Sequence, residues 1–146
     1  MHFLVVDDSS TMRRILCNTI GSIGYETTAA EDGLDALAKL KERKFDAIMT
    51  DWNMPKMDGL QLVRTIRAME EYKHTPIIMV TTEGGKHEVI TAIKEGVNNY
   101  IVKPFTAYVL REMLKEIVYN SLSFAPLSKR DLDLCIFTCK IISPPT

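Results

Sequence analysis

Short apolar runs alternate with amphipathic stretches from the start of the chain to about residue 119. Five segments are candidate strands, at 3–6, 26–29, 47–50, 77–81 and 100–102. The segments at 48–49 and 77–80 are apolar at every position, which indicates strands covered on both faces, as in a parallel sheet. The alternation therefore predicts an α/β fold, a doubly wound five-stranded parallel sheet with helices on both faces.

The stretches between the strands carry apolar residues at helical spacing. They are 12–23, 34–40, 89–95 and 109–118. Asp58 immediately before Gly59 is predicted to be the N-cap of a further helix, the third in the chain. Gly24 and Gly96 are predicted to end helices, because glycine readily adopts the left-handed conformation found there.

Charge and composition exclude several classes of protein. The 146 residues carry a net charge of -1, so direct binding to nucleic acid is not expected. The sequence has no apolar run of about 18 residues and no signal-peptide pattern, which predicts a cytoplasmic protein with no membrane span. The histidines, His2, His74 and His87, have no metal-ligand spacing and are expected to be solvated.

Polar residues follow or end four of the predicted strands. Asp7 and Asp8 follow the first strand, Asp51 the third and Lys103 the fifth, while Thr81 ends the fourth. In an open α/β sheet, ligands bind at the carboxyl ends of the strands. Three carboxylates at that edge would repel one another unless a cation lay among them, and Mg²⁺ is suited to such oxygen ligands. Alternatively, the Asp7–Asp8 pair complements the dipole of the following helix.

Four motifs in this order and spacing resemble the receiver domain of two-component response regulators. They are Asp7-Asp8-Ser9-Ser10, the stretch 51–59 (DWNMPKMDG), Thr81-Thr82-Glu83 and Lys103-Pro104-Phe105. The resemblance covers about residues 1–119 and implies a flavodoxin-like (βα)5 receiver fold with strand order 2-1-3-4-5. Within this family the chain is most similar to chemotaxis regulators, through Trp52, Asn53, Glu83 and the stretch 98–105.

The resemblance implies that Asp51 is the phosphorylation site, a nucleophile that attacks the phosphorus of a phosphohistidine or a small phosphodonor. Asp8, Asp51 and the carbonyl of Asn53 would coordinate Mg²⁺, and Asp7 would hold the ion through water. A metal beside the nucleophile would neutralise charge on the transferring oxygens. The expected cofactor is therefore Mg²⁺, and turnover catalysis is not expected.

The same resemblance assigns roles to five other positions. Lys103 would pair with the incoming phosphoryl group, and Thr81 would donate its hydroxyl to a phosphoryl oxygen. Tyr100 resembles the switch aromatic that moves inward when Thr81 is drawn toward the phosphate. Asn53 and Glu83 would modulate the lifetime of the phosphoryl group. Taken alone, Thr81 and Tyr100 are ordinary strand residues and Lys103 a surface lysine.

The resemblance predicts a stand-alone switch that is phosphorylated by a CheA-type histidine kinase and binds a flagellar motor switch protein or another target. A phosphorelay intermediate or phosphate sink is an alternative within the same class. A haloacid-dehalogenase-like phosphatase is an alternative from another class, since Asp51 with a polar residue two positions later also resembles its nucleophile motif. The order of the motifs, and Asn53 in place of a general acid, count against it.

Residues 120–146 have no counterpart in a minimal receiver and are predicted to form a C-terminal extension. Its basic residues, Lys129, Arg130 and Lys140, are too few for a DNA-binding domain. The apolar run at 134–137 is predicted to pack on the domain or on a second chain, unless it is an accident of the reading frame. We expect a monomer, with a dimer mediated by this extension as the alternative.

Overall fold

A computed structural model of the protein describes residues 1–121, so nearly all of the predicted extension lies outside the described residues. The strands are β1 (His2–Val6), β2 (Glu26–Ala30), β3 (Ala47–Thr50), β4 (Ile77–Thr81) and β5 (Asn99–Val102). The helices are α1 (Ser10–Ser22), α2 (Gly33–Glu42), α3 (Gly59–Arg67), α4 (Lys86–Lys94) and α5 (Ala107–Ser121), with a 3-10 turn at Glu70–Tyr72. Within residues 1–121, no helix has the length and apolar character needed to cross a membrane.

All five strands run parallel in the order β2-β1-β3-β4-β5, which confirms the predicted fold and strand order. The register pairs Val6 with both Ala30 and Thr50, and Thr81 with Val102. Thr50 pairs with Met79, so β4 and β5 extend two residues beyond the ends of β1 and β3. The residues that follow the strands meet at one edge of the sheet, where the sequence placed its polar cluster.

Side chains of β1, β3, β4 and β5 alternate between two buried cores, one on each face of the sheet, whereas the edge strand β2 buries only Ala30. On β4, Ile77 and Met79 lie in the core that α2, α3 and α4 cover. Ile78 and Val80 lie in the core that α1 and α5 cover. This division explains why the central strands are apolar at every position, and it confirms the doubly wound arrangement.

The predicted helix boundaries are confirmed where a capping residue marks them. The carboxylate of Asp58 accepts a hydrogen bond from the amide of Gln61 at 2.8 Å, and the Gln61 side chain accepts one from the Asp58 amide at 3.1 Å. Gly24 and Gly96 adopt φ angles of 94° and 112°, as helix ends require. Helix α4 begins at Lys86, earlier than predicted, because its exposed first turn precedes the apolar stripe.

The expectation that His2 is solvated was wrong. Its ring is buried beside β2, where Nδ1 lies 3.0 Å from a carboxylate oxygen of Glu26 and Nε2 lies 2.6 Å from the hydroxyl of Thr28. Residues two apart on a strand share a face of the sheet, so Glu26 and Thr28 both reach the neighbouring strand. A pairing across strands of this kind requires the register, which the local sequence does not give.

Arg67, at the end of α3, joins three segments of the fold. Its guanidinium donates hydrogen bonds to the carbonyl of Gly96 at 2.8 Å, the side-chain oxygen of Asn98 at 2.8 Å and the carbonyl of Tyr72 at 2.8 Å. Burial lowers the pKa of Arg67 to about 10, which still leaves the group protonated at neutral pH. Asn98 in turn accepts from the amide of Ile77 at the start of β4. The guanidinium thus fixes the loop between α4 and β5.

Replacing Arg67 with methionine should destabilise the domain by about 2 to 4 kcal/mol, because buried carbonyl groups lose charged donors. Arg64→Met is the matched control, since Arg64 lies on the same helix and forms an exposed ion pair with Glu95 at 3.0 Å. Solvent screens exposed pairs of this kind, so they contribute little to stability. Urea unfolding measures both variants. Equal losses of stability in the two variants would contradict the bracing role of Arg67.

Candidate functional site

An ammonium group and two buried carboxylates meet at the carboxyl edge of the sheet. The Nζ atom of Lys103, just after β5, lies 2.8 Å from Oδ2 of Asp7 and 3.0 Å from Oδ2 of Asp51. These aspartates directly follow β1 and β3. The Lys103–Pro104 peptide bond is cis. The structure therefore brings together the three charged residues that the sequence placed at separate strand ends.

Asp8 adds a third carboxylate to this cluster. One oxygen from each of Asp7, Asp8 and Asp51 can be chosen so that all three atoms lie within 4.8 Å of one another. Asp7 and Asp51 are buried, while Asp8 is exposed to solvent. Mg²⁺ takes a few oxygen ligands and keeps several waters, so this donor set, open on one side, fits it.

The acid pair does not belong to the first turn of α1. The N-cap of that helix is Ser9, whose hydroxyl accepts from the amide of Met12 at 3.3 Å, and the first turn contains no acidic residue. The Asp7 carboxylate instead accepts hydrogen bonds from Lys103 and from the amide of Ser9. The alternative that Asp7 and Asp8 serve mainly to complement the helix dipole is thereby disfavoured.

Within the cluster, burial and the attraction between opposite charges shift pKa values in opposite directions. Burial raises the pKa of Asp7, and the hydrogen bond from Lys103 offsets only part of this effect. Burial also acts to lower the pKa of Lys103, but its hydrogen bonds to Asp7 and Asp51 outweigh burial and leave that pKa raised. Lys103 therefore stays protonated, while burial imposes a free-energy cost on the ionised form of Asp7. A further cation would reduce that cost.

The backbone around Asp51 is fixed on several sides. Its amide donates to the carbonyl of Val6 at 3.0 Å, and its Oδ1 atom accepts from the amide of Trp52 at 2.6 Å. The amide of Gly59 donates to the carbonyl of Trp52 at 2.8 Å. A Cβ atom at position 59 would overlap the Asp51 carbonyl oxygen, so this close approach requires glycine. The sequence indicated a helix start at Gly59 but did not predict this contact.

Glu83, in the loop after β4, connects the remaining predicted site residues. Its amide lies 3.4 Å from the hydroxyl of the fully buried Thr81, and its side chain accepts from the Asn53 amide at 3.0 Å. The hydroxyl of the buried Tyr100 donates to the Glu83 carbonyl. The sequence placed these residues near one another but predicted none of the contacts. Their functional roles stay predictions.

Arg13 is a site neighbour that sequence analysis missed. Its Nη1 atom donates a hydrogen bond to the backbone carbonyl of Asp7 at 2.6 Å. Arg13 and Arg14 are adjacent charged residues one turn into α1, and such residues are ordinarily solvated. In the sequence, Arg13 follows Asp8 by five residues, which indicated only that the two could be near each other. The path of the loop shows that the Arg13 side chain turns back toward the Asp7 carbonyl.

The sheet order and the acidic edge with its lysine define a flavodoxin-like receiver fold. Residues 3–115 match the family model of the response regulator receiver domain. The chain belongs to this family. The sequence-based resemblance is thereby confirmed.

Curated relatives and solved structures extend this assignment. The chain is 58% identical over 120 residues to the chemotaxis protein CheY1 of Helicobacter pylori, a match that covers 81% of this chain and 97% of the relative. It is 38% identical to the structure of CheY4 of Vibrio cholerae, with a TM-score of 0.76 over 80% of this chain and 97% of that one. A third similar structure is the receiver domain of the Pseudomonas aeruginosa histidine kinase PA1611, which was solved with a magnesium ion coordinated in its active site cleft. Its TM-score is 0.73 at 29% identity, and the match covers 80% of this chain and 96% of that one. The chain is therefore closely related to chemotaxis regulators of the CheY type.

Replacing Asp7 with asparagine should stabilise the domain at neutral pH in magnesium-free buffer, because burial disfavours the ionised form of this carboxylate and asparagine carries no charge. Since the pKa of Asp7 is raised in the folded state, the parent gains stability relative to the variant as pH falls through that pKa. Urea unfolding from neutral pH to about pH 4 would show the difference shrinking.

The matched control for Asp7→Asn is Asp35→Asn. Asp35 lies in the first turn of α2, where a carboxylate favours the helix, so its loss should lower stability slightly. Saturating Mg²⁺ should stabilise the parent more than Asp7→Asn and reduce or reverse the difference between them. If Asp7→Asn were less stable than the parent at neutral pH without magnesium, the Asp7 carboxylate would make a net favourable contribution to folding stability, contrary to this prediction.

Proposed function

We propose that this protein is a response regulator that accepts a phosphoryl group on Asp51 and thereby changes its binding to a target protein. One observation carries the proposal. The Lys103 ammonium contacts the Asp51 carboxylate at an edge where Asp7 and Asp8 supply further metal-ligating oxygens. A nucleophile, a fixed cation and a set of metal ligands within a few ångströms meet the needs of phosphoryl transfer, which are positioning and charge neutralisation.

In the proposed reaction, an Asp51 carboxylate oxygen forms a bond to phosphorus while the bond from phosphorus to the donor breaks. The donor is a phosphohistidine of a kinase or a small phosphodonor, and its leaving group takes the bonding electron pair. The Lys103 ammonium neutralises charge on the phosphoryl oxygens, since its pKa is raised and the group stays protonated. The Thr81 hydroxyl, at the end of the neighbouring strand, donates a hydrogen bond to a phosphoryl oxygen.

Asp8, Asp51 and the carbonyl of Asn53 would hold Mg²⁺ directly, with Asp7 bound through water. When bound, the ion supplies charge neutralisation and in-line orientation at the transferring phosphoryl group. The protein's own residues exclude water and orient the nucleophile. Burial of Asp7 and Asp51 limits the access of water, and the hydrogen bond from the Trp52 amide orients the nucleophile.

The protein acts as a switch rather than as a turnover enzyme. Rapid hydrolysis of an acyl phosphate by a phosphatase mechanism would call for a general acid or base near the nucleophile. The residue two positions after Asp51 is Asn53, whose side-chain amide donates a hydrogen bond to the Glu83 carboxylate. An amide neither gives nor takes a proton under these conditions, so the phosphoryl group persists long enough to act as a signal.

The proposed partners are a CheA-type histidine kinase and a flagellar motor switch protein, in the cytoplasm. Support comes from the relatives, which are chemotaxis proteins at 50–58% identity. The target would bind the face formed by α4, β5 and α5. Tyr100 lies on β5 within this face and is bound to Glu83, one loop away from the phosphorylation site.

Incubation of the protein with a small phosphodonor and Mg²⁺ should add the mass of one phosphoryl group, measured by intact mass spectrometry. Asp51→Asn should remove the adduct, and Lys103→Met should slow its formation by about tenfold or more, because a fixed charge at the transition state is lost. Asp58→Asn is the matched control, since asparagine also caps a helix and α3 should remain intact.

Retention of the adduct in Asp51→Asn would exclude Asp51 as the acceptor. Release of many phosphates per chain would instead favour the phosphatase. Transfer of the phosphoryl group onward to a histidine protein would favour the phosphorelay alternative. Each outcome is read from the same reaction by following protein mass and inorganic phosphate together.

Tyr100→Ala should reduce the gain in affinity for the motor switch protein that phosphorylation produces. Coupling free energies of this kind are roughly 1 to 3 kcal/mol, and the variant should lose most of it. Calorimetric titration of both forms of the parent and the variant measures the coupling. Tyr25→Ala is the control for loss of an aromatic side chain, since Tyr25 stacks on Phe3 in the other core. Unchanged affinities in both forms of Tyr100→Ala would refute the switch role.

A further inference from the structure

Arg13 and Arg14 are the fourth and fifth residues of α1, just beyond its first turn, where the helix dipole gives a cation no stabilisation. The backbone dipoles of a helix place partial positive charge at its amino end, and the first turn of α1 contains no acidic residue to offset it. Helix stability alone therefore does not account for two arginines here. The contact that Arg13 makes outside the helix suggests another purpose.

The half-buried Arg13 side chain turns back over the loop between β1 and α1. Its Nη1 atom donates to the backbone carbonyl of Asp7 at 2.6 Å. That carbonyl belongs to the peptide group that joins Asp7 to Asp8. Because both side chains flank this peptide, its orientation determines where both carboxylates point.

Other contacts of the loop hold different groups. The Asp7 amide donates to the carbonyl of Ala30 at 3.1 Å, and the Asp7 carboxylate is held by Lys103 and the Ser9 amide. Asp8 is exposed, yet a carboxylate oxygen of Asp8 lies within 4.8 Å of oxygens from both Asp7 and Asp51. The bond from Arg13 fixes the oxygen side of the peptide that precedes Asp8, and so sets the direction in which Asp8 leaves the backbone.

We infer that Arg13 is a positioning residue for the magnesium site. By holding the Asp7–Asp8 peptide, it keeps the Asp8 carboxylate directed toward Asp51 before the metal arrives. This inference rests on the proposed function, which requires that Asp8 and Asp51 share an ion. Preorganisation of this kind raises affinity because less ordering remains to be done on binding.

The direction in which magnesium affinity changes distinguishes a positioning role of Arg13 from a purely electrostatic one. A guanidinium near a divalent cation repels it, so removal of its charge alone would strengthen magnesium binding. Loss of the hydrogen bond to the Asp7 carbonyl would instead weaken binding, because Asp8 would no longer be held in place. Positioning and plain electrostatics thus predict opposite shifts for the same substitution.

The experiment titrates Mg²⁺ into metal-free parent, Arg13→Met, Arg13→Lys and Arg14→Met, with calorimetry and Trp52 fluorescence as readouts. Trp52 is the single tryptophan and is adjacent to Asp51, so its signal reports on the site. Arg13→Met should raise the Kd for magnesium by about three- to tenfold, the equivalent of one lost hydrogen bond. Arg13→Lys should recover part of the affinity, since an ammonium can donate one bond. Arg14→Met removes the same charge from the adjacent position and should leave the Kd unchanged or slightly lower.

Phosphorylation by a small phosphodonor supplies a second readout. Arg13→Met should need more magnesium for half-maximal rate but reach the parent rate at saturating magnesium, whereas general damage to the fold would lower the maximal rate as well. Urea unfolding identifies the latter case. A parent that binds magnesium normally while Arg13→Met binds it equally or more tightly would overturn this inference alone. A parent that does not bind magnesium would overturn the proposed function and this inference together.

Discussion

The contact of one ammonium with two buried carboxylates sets the design of the site. Lys103 lies after β5 and reaches past the end of β4 to Asp51 and Asp7, which follow β3 and β1. This reach is possible because β4 and β5 extend two residues beyond the ends of β1 and β3, since Thr50 pairs with Met79 and Thr81 with Val102. Burial of either aspartate without the lysine would leave an uncompensated charge at a cost of several kcal/mol. The sheet thus positions the cluster, and the lysine allows it to be buried.

The single ammonium of this cluster does not neutralise its carboxylates. This deficit of positive charge is the basis of the proposed magnesium binding. Three carboxylates face one ammonium, and burial raises the pKa of Asp7 in spite of Lys103. A site neutralised by its own residues would gain little from a further cation. Here the domain retains an unfavourable arrangement that a divalent ion would relieve, so stability of the free protein is exchanged for affinity at the site.

The sequence predicted the strands and the strand-end residues well, for a physical reason. Central parallel strands are buried on both faces, so runs such as Ile77–Val80 are unmistakably apolar, and carboxyl ends necessarily meet at one edge. Contacts that depend on the path of a loop or on register escaped prediction. Arg13 bound to the Asp7 carbonyl, Gly59 against Asp51 and the buried His2 are of this kind. Each requires knowledge of which backbone lies within reach, and residue type alone does not supply it.

Glu83 offers a physical route by which the proposed phosphorylation would act at a distance. Its side chain binds the Asn53 amide beside the nucleophile, its amide lies near the Thr81 hydroxyl, and its carbonyl accepts from Tyr100. A phosphoryl group on Asp51 would compete with the Glu83 carboxylate for the Asn53 amide donor, because it adds three strong acceptor oxygens, and it would also attract the Thr81 hydroxyl, which accepts from the Glu83 amide. If Asn53 and Thr81 turned toward the phosphoryl group, the loop would lose its contact with Asn53, its contact with Thr81 would change, and its position would shift. The Tyr100 hydroxyl donates a hydrogen bond to the backbone of that loop, so the shift would reach β5 through this bond.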